Sequence, residues 1–248
     1  LRNIIASDIF SIPQNSHSVA DFMDLCIAVR YINKPHLLAF FHTSDHIKQV
    51  VLDTLARNRH HEEANIRIII TGGSSVDFMT HQGQPRLLVL VSVLPGQPRE
   101  WYTDGVKITT MTSRRILPGA KSINYLSATI ALQKAREKGA VESAYVDRDG
   151  LVYECTTSNI FAFVGDRLVT PGRRILAGIT RGVILQMAEA MFTIEVRDLS
   201  FPELIAAAEV FITGTNKGIV PVVRIDDVII GEGRPGPRTR RLMAALEA

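Results

Sequence analysis

The spacing of short apolar runs across the second half of the chain narrows the fold more than any other feature. Ser143 to Val146, Leu151 to Tyr153, Ile160 to Val164 and Arg167 to Val169 follow one another at turn-length intervals. Asp147-Arg-Asp-Gly150 separates the first two runs, and Gly165-Asp166 separates the last two. Runs of this length bounded by Asp and Gly read as strands joined by hairpins. Val210 to Thr213 and Val222 to Ile230 add strands, the latter interrupted by Asp226-Asp227. Helical stretches punctuate this series. Thr180 caps one over about Arg181 to Met191, Glu203 to Ala208 is a short second, and the last runs from about Pro237 to the end. Strands and helices mixed without strict βαβ alternation place the chain in the α+β class.

The first half extends to residue 116. It carries β-type runs at Leu25 to Ile32, Ile66 to Thr71, Arg86 to Val93 and Val106 to Met111. A helix is expected over Ser44 to Arg57, with Ser44 as its cap. Arg67-Ile-Ile-Ile-Thr-Gly-Gly73 reads as a strand ending in a glycine turn. Leu117-Pro118-Gly119-Ala120 breaks regular structure, so residues 117–120 are taken as a linker between domains 1–116 and 121–248. The second domain is expected to open on a helix over Ser122 to Lys138, with Ile123, Leu126, Ile130 and Ala131 on its apolar face and Gly139 as its stop.

A length of 248 residues allows one or two domains. Hydrophobic residues at 46% and charged residues at 21% exclude disorder, collagen and coiled coil. The net charge of +3 is spread along the chain, so no nucleic-acid footprint is expected. No apolar run reaches the roughly 18 residues a spanning helix needs, and no membrane partner is expected. The first ten residues lack a signal-peptide pattern. Cys26 and Cys155 cannot build a disulfide framework or a zinc site by themselves. His60-His61 stands outside any metal-ligand spacing, so no metal is expected. A cytoplasmic setting is the default.

Several residues could carry chemistry. Lys121 follows the Pro-Gly break, and on the expected helix it shares a face with Tyr125 at i, i+4. A lysine beside a phenol in a semi-buried cleft can become a neutral amine that forms a Schiff base. Glu154 precedes Cys-Thr-Thr-Ser-Asn159, a polar setting in which a carboxylate can hold a ring nitrogen protonated. Gly178-Ile-Thr-Arg181 feeds a helix N-terminus that favours a phosphate. Gly214-Thr-Asn-Lys-Gly218 is a second turn rich in N–H donors. A surface lysine, a solvated glutamate and an ordinary cap are the plainer readings of each residue alone. Together they are the parts a pyridoxal phosphate site needs.

The chain resembles the fold-type IV pyridoxal phosphate enzymes, or class IV aminotransferases, on Lys121-Ser-Ile-Asn-Tyr-Leu126, Glu154-Cys-Thr-Thr-Ser-Asn-Ile-Phe161 and Leu168-Val-Thr-Pro171. Ile175-Leu-Ala-Gly-Ile-Thr-Arg181, Glu209-Val-Phe-Ile-Thr-Gly-Thr215 and Pro221-Val-Val-Arg-Ile-Asp226 continue the match in the family's order. The resemblance implies a small N-terminal α/β sandwich domain, a larger barrel-like C-terminal domain and a homodimer. It implies pyridoxal 5′-phosphate bound covalently by Lys121, with Glu154 on the ring nitrogen and Tyr125 close by. Ile179, Thr180 and Thr215 would hold the phosphate, and the backbone of Thr215-Asn216 the substrate carboxylate. The implied activity is ping-pong transfer of an amino group between an amino acid, branched-chain-like by preference, and a 2-oxo acid. D-amino acid aminotransferase and 4-amino-4-deoxychorismate lyase are the alternatives within the family. The chain departs from the pattern at four places. Gln49 stands where relatives carry a phosphate-binding arginine, Ala20-Asp-Phe-Met-Asp-Leu25 matches only faintly the usual glycine-rich stretch, Cys155 stands where glycine is common, and Asn216-Lys217-Gly218 where small residues and glutamate are usual. Gln49 also motivates a reading of another class, a catalytically impaired binding homologue that keeps the fold.

Overall fold

A computed structural model describes residues 8–13, 44–58, 63–77, 79–94 and 96–247. The chain divides into two compact units. One comprises Leu1–Gly96 with Ala120–Ile123, the other Gln97–Gly119 with Asn124–Ala248.

In the smaller unit, strands β1 (Asp8–Pro13), β2 (Glu63–Thr71) and β3 (Arg86–Val93) form an antiparallel sheet in that order. Ala64, Ile66, Ile68 and Ile70 alternate along β2 and are all buried. Their spacing of two puts them on one face. Across the ladder Ile66, Ile68 and Ile70 meet Val91, Val89 and Leu87. Helix α1 (Ser44–Arg57) packs on β3 and buries Ile47 and Val51, one turn apart. Its bounds are those the sequence indicates. Gly73 makes the expected turn after β2 with φ of 81°. A Cβ there would stand 1.7 Å from the Gln84 carbonyl oxygen, so only glycine fits. The expected strand Leu25 to Ile32, the segment Ala20 to Leu25, Cys26 and His60-His61 lie outside the described residues.

The larger unit begins with α2 (Glu100–Thr103), β4 (Val106–Thr112), α3 (Leu126–Glu137), β5 (Glu142–Val146) and β6 (Leu151–Cys155). β7 (Asn159–Val164), β8 (Arg167–Thr170), α4 (Ile179–Ala188), β9 (Thr193–Val196), β10 (Leu199–Ser200) and α5 (Phe201–Ile205) follow. The unit ends with β11 (Glu209–Gly214), β12 (Gly218–Ile225), β13 (Val228–Ile229) and α6 (Pro237–Glu247). Strands β6, β5, β4, β12, β11 and β7 are neighbours in that order, and β7 pairs back onto β6. The result is a closed ring, the barrel-like sheet that the family resemblance implies.

Both faces of β7 and β11 are covered. Ile160, Ala162, Val210 and Ile212 join one core cluster with Ile108 of β4 and Val220 of β12. Phe161, Phe163 and Phe211 alternate onto the other face, against Ile184 of α4 and Leu242 of α6. Phe161 and Phe211 stack with centroids 4.9 Å apart. Burial on both faces explains why Ile160 to Val164 reads as a continuous apolar run rather than an alternating one.

The structure corrects four expectations. Val106–Thr112 is a ring strand, lying parallel to both β12 and β5, and the compact units divide after Gly96 rather than after residue 116. Both its partners are distant in sequence, so nothing local marks its allegiance. Helix α3 starts at Leu126 rather than Ser122. Its buried side chains are Ala128, Ala131 and Ala135, whereas Leu126 is 72% and Ile130 44% exposed. Alanines let the helix lie close on β5, so its larger apolar side chains face away. Helix α4 starts at Ile179, with Gly178 rather than Thr180 in the capping position. Helix α5 starts at Phe201, two residues before the expected Glu203, because the Ser200 hydroxyl accepts from the Glu203 N–H at 3.3 Å.

Phe211→Ala would empty the space between the ring and its two helices. It is expected to lower the unfolding free energy by about 3–5 kcal/mol, read from the urea midpoint. A loss below about 1 kcal/mol would contradict burial on both faces.

Candidate functional site

Glu154 and Asn159 face each other where β6 meets β7. The Glu154 carboxylate is buried. Its Oε1 accepts from Arg115 Nη1 at 2.9 Å, and its Oε2 accepts from the Leu176 backbone N–H at 2.9 Å. Arg115 Nη1 also donates to the Pro118 carbonyl at 3.3 Å. The carboxylate is thus aimed by a guanidinium from the segment after β4 and an amide from the loop before α4.

Asn159 ties that loop down from the other side. Its Nδ2 donates to the Leu176 carbonyl at 2.8 Å, so both backbone groups of Leu176 serve this corner. Its Oδ1 lies 2.3 Å from where a Cβ on Gly178 would sit. A side chain at 178 would have to push the Asn159 amide aside, so glycine lets α4 start against the end of β7. Gly178 is extended, with φ of −64° and ψ of 142°, and provides no side-chain cap. The first-turn N–H groups, those of Ile179 and Thr180 among them, have no partner further back in their own helix. Such groups with the helix dipole behind them suit an anion. Arg181 is buried and committed elsewhere, to the Pro171 carbonyl at 3.0 Å and the Thr170 hydroxyl at 3.4 Å.

Thr213 pairs with Asn159 across β7 and β11, which brings the turn after β11 to the same end of the ring. Thr213 lies two residues beyond Phe211, on the face that meets α4. Its hydroxyl oxygen is buried without a hydrogen-bond partner among the described residues, as is Asn216 Oδ1. Thr215 is exposed. The larger unit thus gathers Glu154, Ile179, Thr180, Thr215 and Asn216 at one end of its ring.

Lys121 lies in the stretch Ala120–Ile123, which belongs to the smaller unit. It is half-buried in irregular chain, five residues ahead of α3 rather than at its head. Tyr125 is the residue before α3, with φ of −97°, so the two share no helical face. Gln49 is exposed on α1 and donates to Asp53 at 2.8 Å. Cys155 is buried, and burial pushes its thiol up well above the ordinary range.

Arg115 and Glu142 escape a reading of the sequence, as does the pairing of Lys217 with Glu142. Glu142, at the head of β5, is buried. It accepts from the hydroxyls of Thr156, Thr157 and Ser158, from the Thr157 N–H at 3.0 Å, and from the Lys217 ammonium at 2.5 Å. Burial pushes its carboxyl up, but the Lys217 charge and the hydroxyl donors outweigh this and leave it below its ordinary value. A glutamate inside the otherwise buried strand Glu142–Val146, ahead of a Thr-Thr-Ser loop, is the signal that could have pointed to it.

The family model described as Amino-transferase class IV matches residues 36–225. The chain is a class IV aminotransferase family member. Among relatives of this family member, a branched-chain-amino-acid aminotransferase-like protein 2 from Arabidopsis thaliana is 32% identical over 83% of the chain. The match spans 38% of that relative's own length. A putative branched-chain-amino-acid aminotransferase from Methanocaldococcus jannaschii is 34% identical over 81% of the chain and 72% of its own length. A D-alanine aminotransferase from Bacillus licheniformis is 37% identical over 61% of the chain and 54% of its own length. In fold, the chain matches the Escherichia coli branched-chain amino acid aminotransferase with a TM-score of 0.76 at 23% identity, over 99% of this chain and 84% of that one. It matches a 4-amino-4-deoxychorismate lyase from Pseudomonas aeruginosa with a TM-score of 0.77 at 23% identity, over 98% and 90%.

The family implies pyridoxal 5′-phosphate. The donor set here fits that group: a buried, anchored carboxylate for a ring nitrogen, an uncapped helix start for a phosphate, and two buried oxygen atoms with no partner among the described residues.

Two predictions follow from this geometry. Gly178→Ala must displace the Asn159 side chain and is expected to cost about 1–3 kcal/mol of stability. Thermal melts of Gly178→Ala, Asn159→Ala and the double variant check it, since the double should lose no more than the worse single. Because the folded Glu142 carboxyl lies below its unfolded value, its contribution is complete above about pH 4.3. That contribution fades as pH falls through the lower folded value. A wild-type acid-unfolding curve that coincides with that of Glu142→Gln would contradict this.

Proposed function

We propose that the chain is a pyridoxal phosphate-dependent aminotransferase. It moves an amino group between an amino acid, with branched-chain donors favoured, and a 2-oxo acid. The observation that carries this reading is the buried Glu154 carboxylate, anchored by Arg115 and the Leu176 N–H at the end of the ring where α4 begins. Bound there, the cofactor supplies an electron sink for the carbanion left when the substrate's Cα proton departs. Glu154 keeps a proton on the ring nitrogen, because an adjacent carboxylate favours the charged form of its partner. The N–H groups of Ile179 and Thr180, with the hydroxyls of Thr180 and Thr215, would hold the phosphate. The backbone at Thr215-Asn216 holds the substrate carboxylate. Lys121 would hold the cofactor through its ε-amine, and that amine, when free, would take the Cα proton. Tyr125 would help tune the cofactor.

Branched-chain preference is supported by the names of the Arabidopsis and Methanocaldococcus relatives. The D-alanine aminotransferase relative keeps D-amino acid transfer as the alternative. A homodimer is the assembly we propose, since the exposed Leu126 and Ile130 side chains on α3 are ones a second copy would cover. A second reading, a homologue that binds but turns over poorly, is favoured by Gln49, whose amide supplies no positive charge at the position of the usual arginine.

Absorbance spectroscopy tests the proposal. Wild type incubated with pyridoxal phosphate should develop a Schiff-base band at the edge of the visible, and Lys121→Ala should not. Leucine, D-alanine and aminodeoxychorismate, added singly, should differ in bleaching that band, leucine being fastest. A wild type that stays colourless sinks the proposal, and a band that no amino acid bleaches favours the binding homologue.

A further inference from the structure

Lys217 has no part in the proposed reaction, yet it is the most heavily tied residue of the turn after β11. Its ammonium reaches back to Glu142 Oε1 at 2.5 Å, Thr157 Oγ1 at 3.1 Å and Ser158 Oγ at 3.0 Å. Its backbone is tied as well. The Tyr102 phenol on α2 donates to the Lys217 carbonyl at 3.1 Å, and the Lys217 N–H donates to the Gly214 carbonyl at 3.1 Å. Glu142 is 1% exposed and grips the 156–158 loop with the same carboxylate that holds the ammonium. One ion pair therefore straps the 214–218 turn to the loop that follows Glu154. Strapped this way, the turn keeps the Thr213 hydroxyl and Asn216 Oδ1 buried with no partner among the described residues, an arrangement that costs free energy unless a ligand meets them.

We infer that Lys217 is a positioning residue. Joined to Glu142, it fixes the 214–218 turn at the spacing where Thr215 grips the cofactor's phosphate. The inference rests on the pyridoxal phosphate reading above. Lys217 is not the phosphate's counter-ion, because its charge is matched by Glu142 and its Nζ is surrounded by the 156–158 hydroxyls. Its contribution is geometric and falls on the phosphate end of the cofactor.

The test uses cofactor-free protein titrated separately with pyridoxal phosphate and with pyridoxal, which lacks the phosphate, alongside thermal melts of each form without cofactor. Lys217→Met should raise the Kd for pyridoxal phosphate at least about tenfold, as expected when a supporting contact is lost and a site loosens. The Kd for pyridoxal should change by less than about threefold. The double variant Glu142→Gln/Lys217→Met removes the lone buried charge, so its melting temperature should return toward wild type while pyridoxal phosphate stays weakly bound. Should Lys217→Met not fold, the double variant and the milder Thr157→Val carry the same comparison. Equal weakening of both ligands, or recovery of affinity together with melting temperature in the double variant, would reduce Lys217 to a stability residue and overturn the inference. A wild type that gives no band with pyridoxal phosphate overturns the underlying reading and this inference together. The other failures leave that reading standing.

Discussion

Among the described residues a single pair, Glu154 with Asn159, joins β6 to β7 and closes the ring. A seam of one residue pair is weak by itself, and side-chain and backbone hydrogen bonds reinforce it from three directions. Glu142 gathers the hydroxyls of the connecting loop, the Thr156 N–H donates to the Ser143 carbonyl at 2.9 Å, and Leu176 is held between Glu154 and Asn159. The same stretch carries the carboxylate proposed for the ring nitrogen. Closing the ring and building the site are thus one structural act, and a change that opens the seam dismantles both.

Buried carboxylates recur at the ends of ring strands, each answered by a different donor. Glu209, at the start of β11, accepts from the backbone N–H groups of Arg238 and Thr239 and so caps α6. Glu154 is answered by Arg115, and Glu142 by Lys217. Stripping the partner from such a group is strongly destabilising, because an ion left alone in the interior has lost its hydration without compensation. These three buried carboxylates sit where a helix start, a guanidinium or an ammonium meets them. Between them the core of the ring is filled mainly with Phe, Ile, Val and Ala.

The sequence discloses what is local. Hairpins separated by Asp147 to Gly150 and by Gly165-Asp166 are legible because their turns carry their own chemistry, and the paired strands follow where indicated. Glu154, Gly178 and the turn at Gly214 to Gly218 are legible because motif and turn coincide. The membership of β4 is not, since its parallel partners come from remote parts of the chain. The start of α3 misleads because its packing surface is alanine, which a search for large apolar residues passes over. The pairings of Arg115 and Lys217 stay hidden for the same reason as β4. Their partners lie 39 and 75 residues away, and only the closed ring brings them within reach.

Cys155 occupies the middle of the reinforced seam, between the proposed ring-nitrogen carboxylate and the hydroxyls bound by Glu142. Because burial suppresses thiolate formation there, the sulfur is inert while the ring is shut. Burial at this joint ties the reactivity of that sulfur to local opening of the chain around it, so its modification would mark departures from the closed ring.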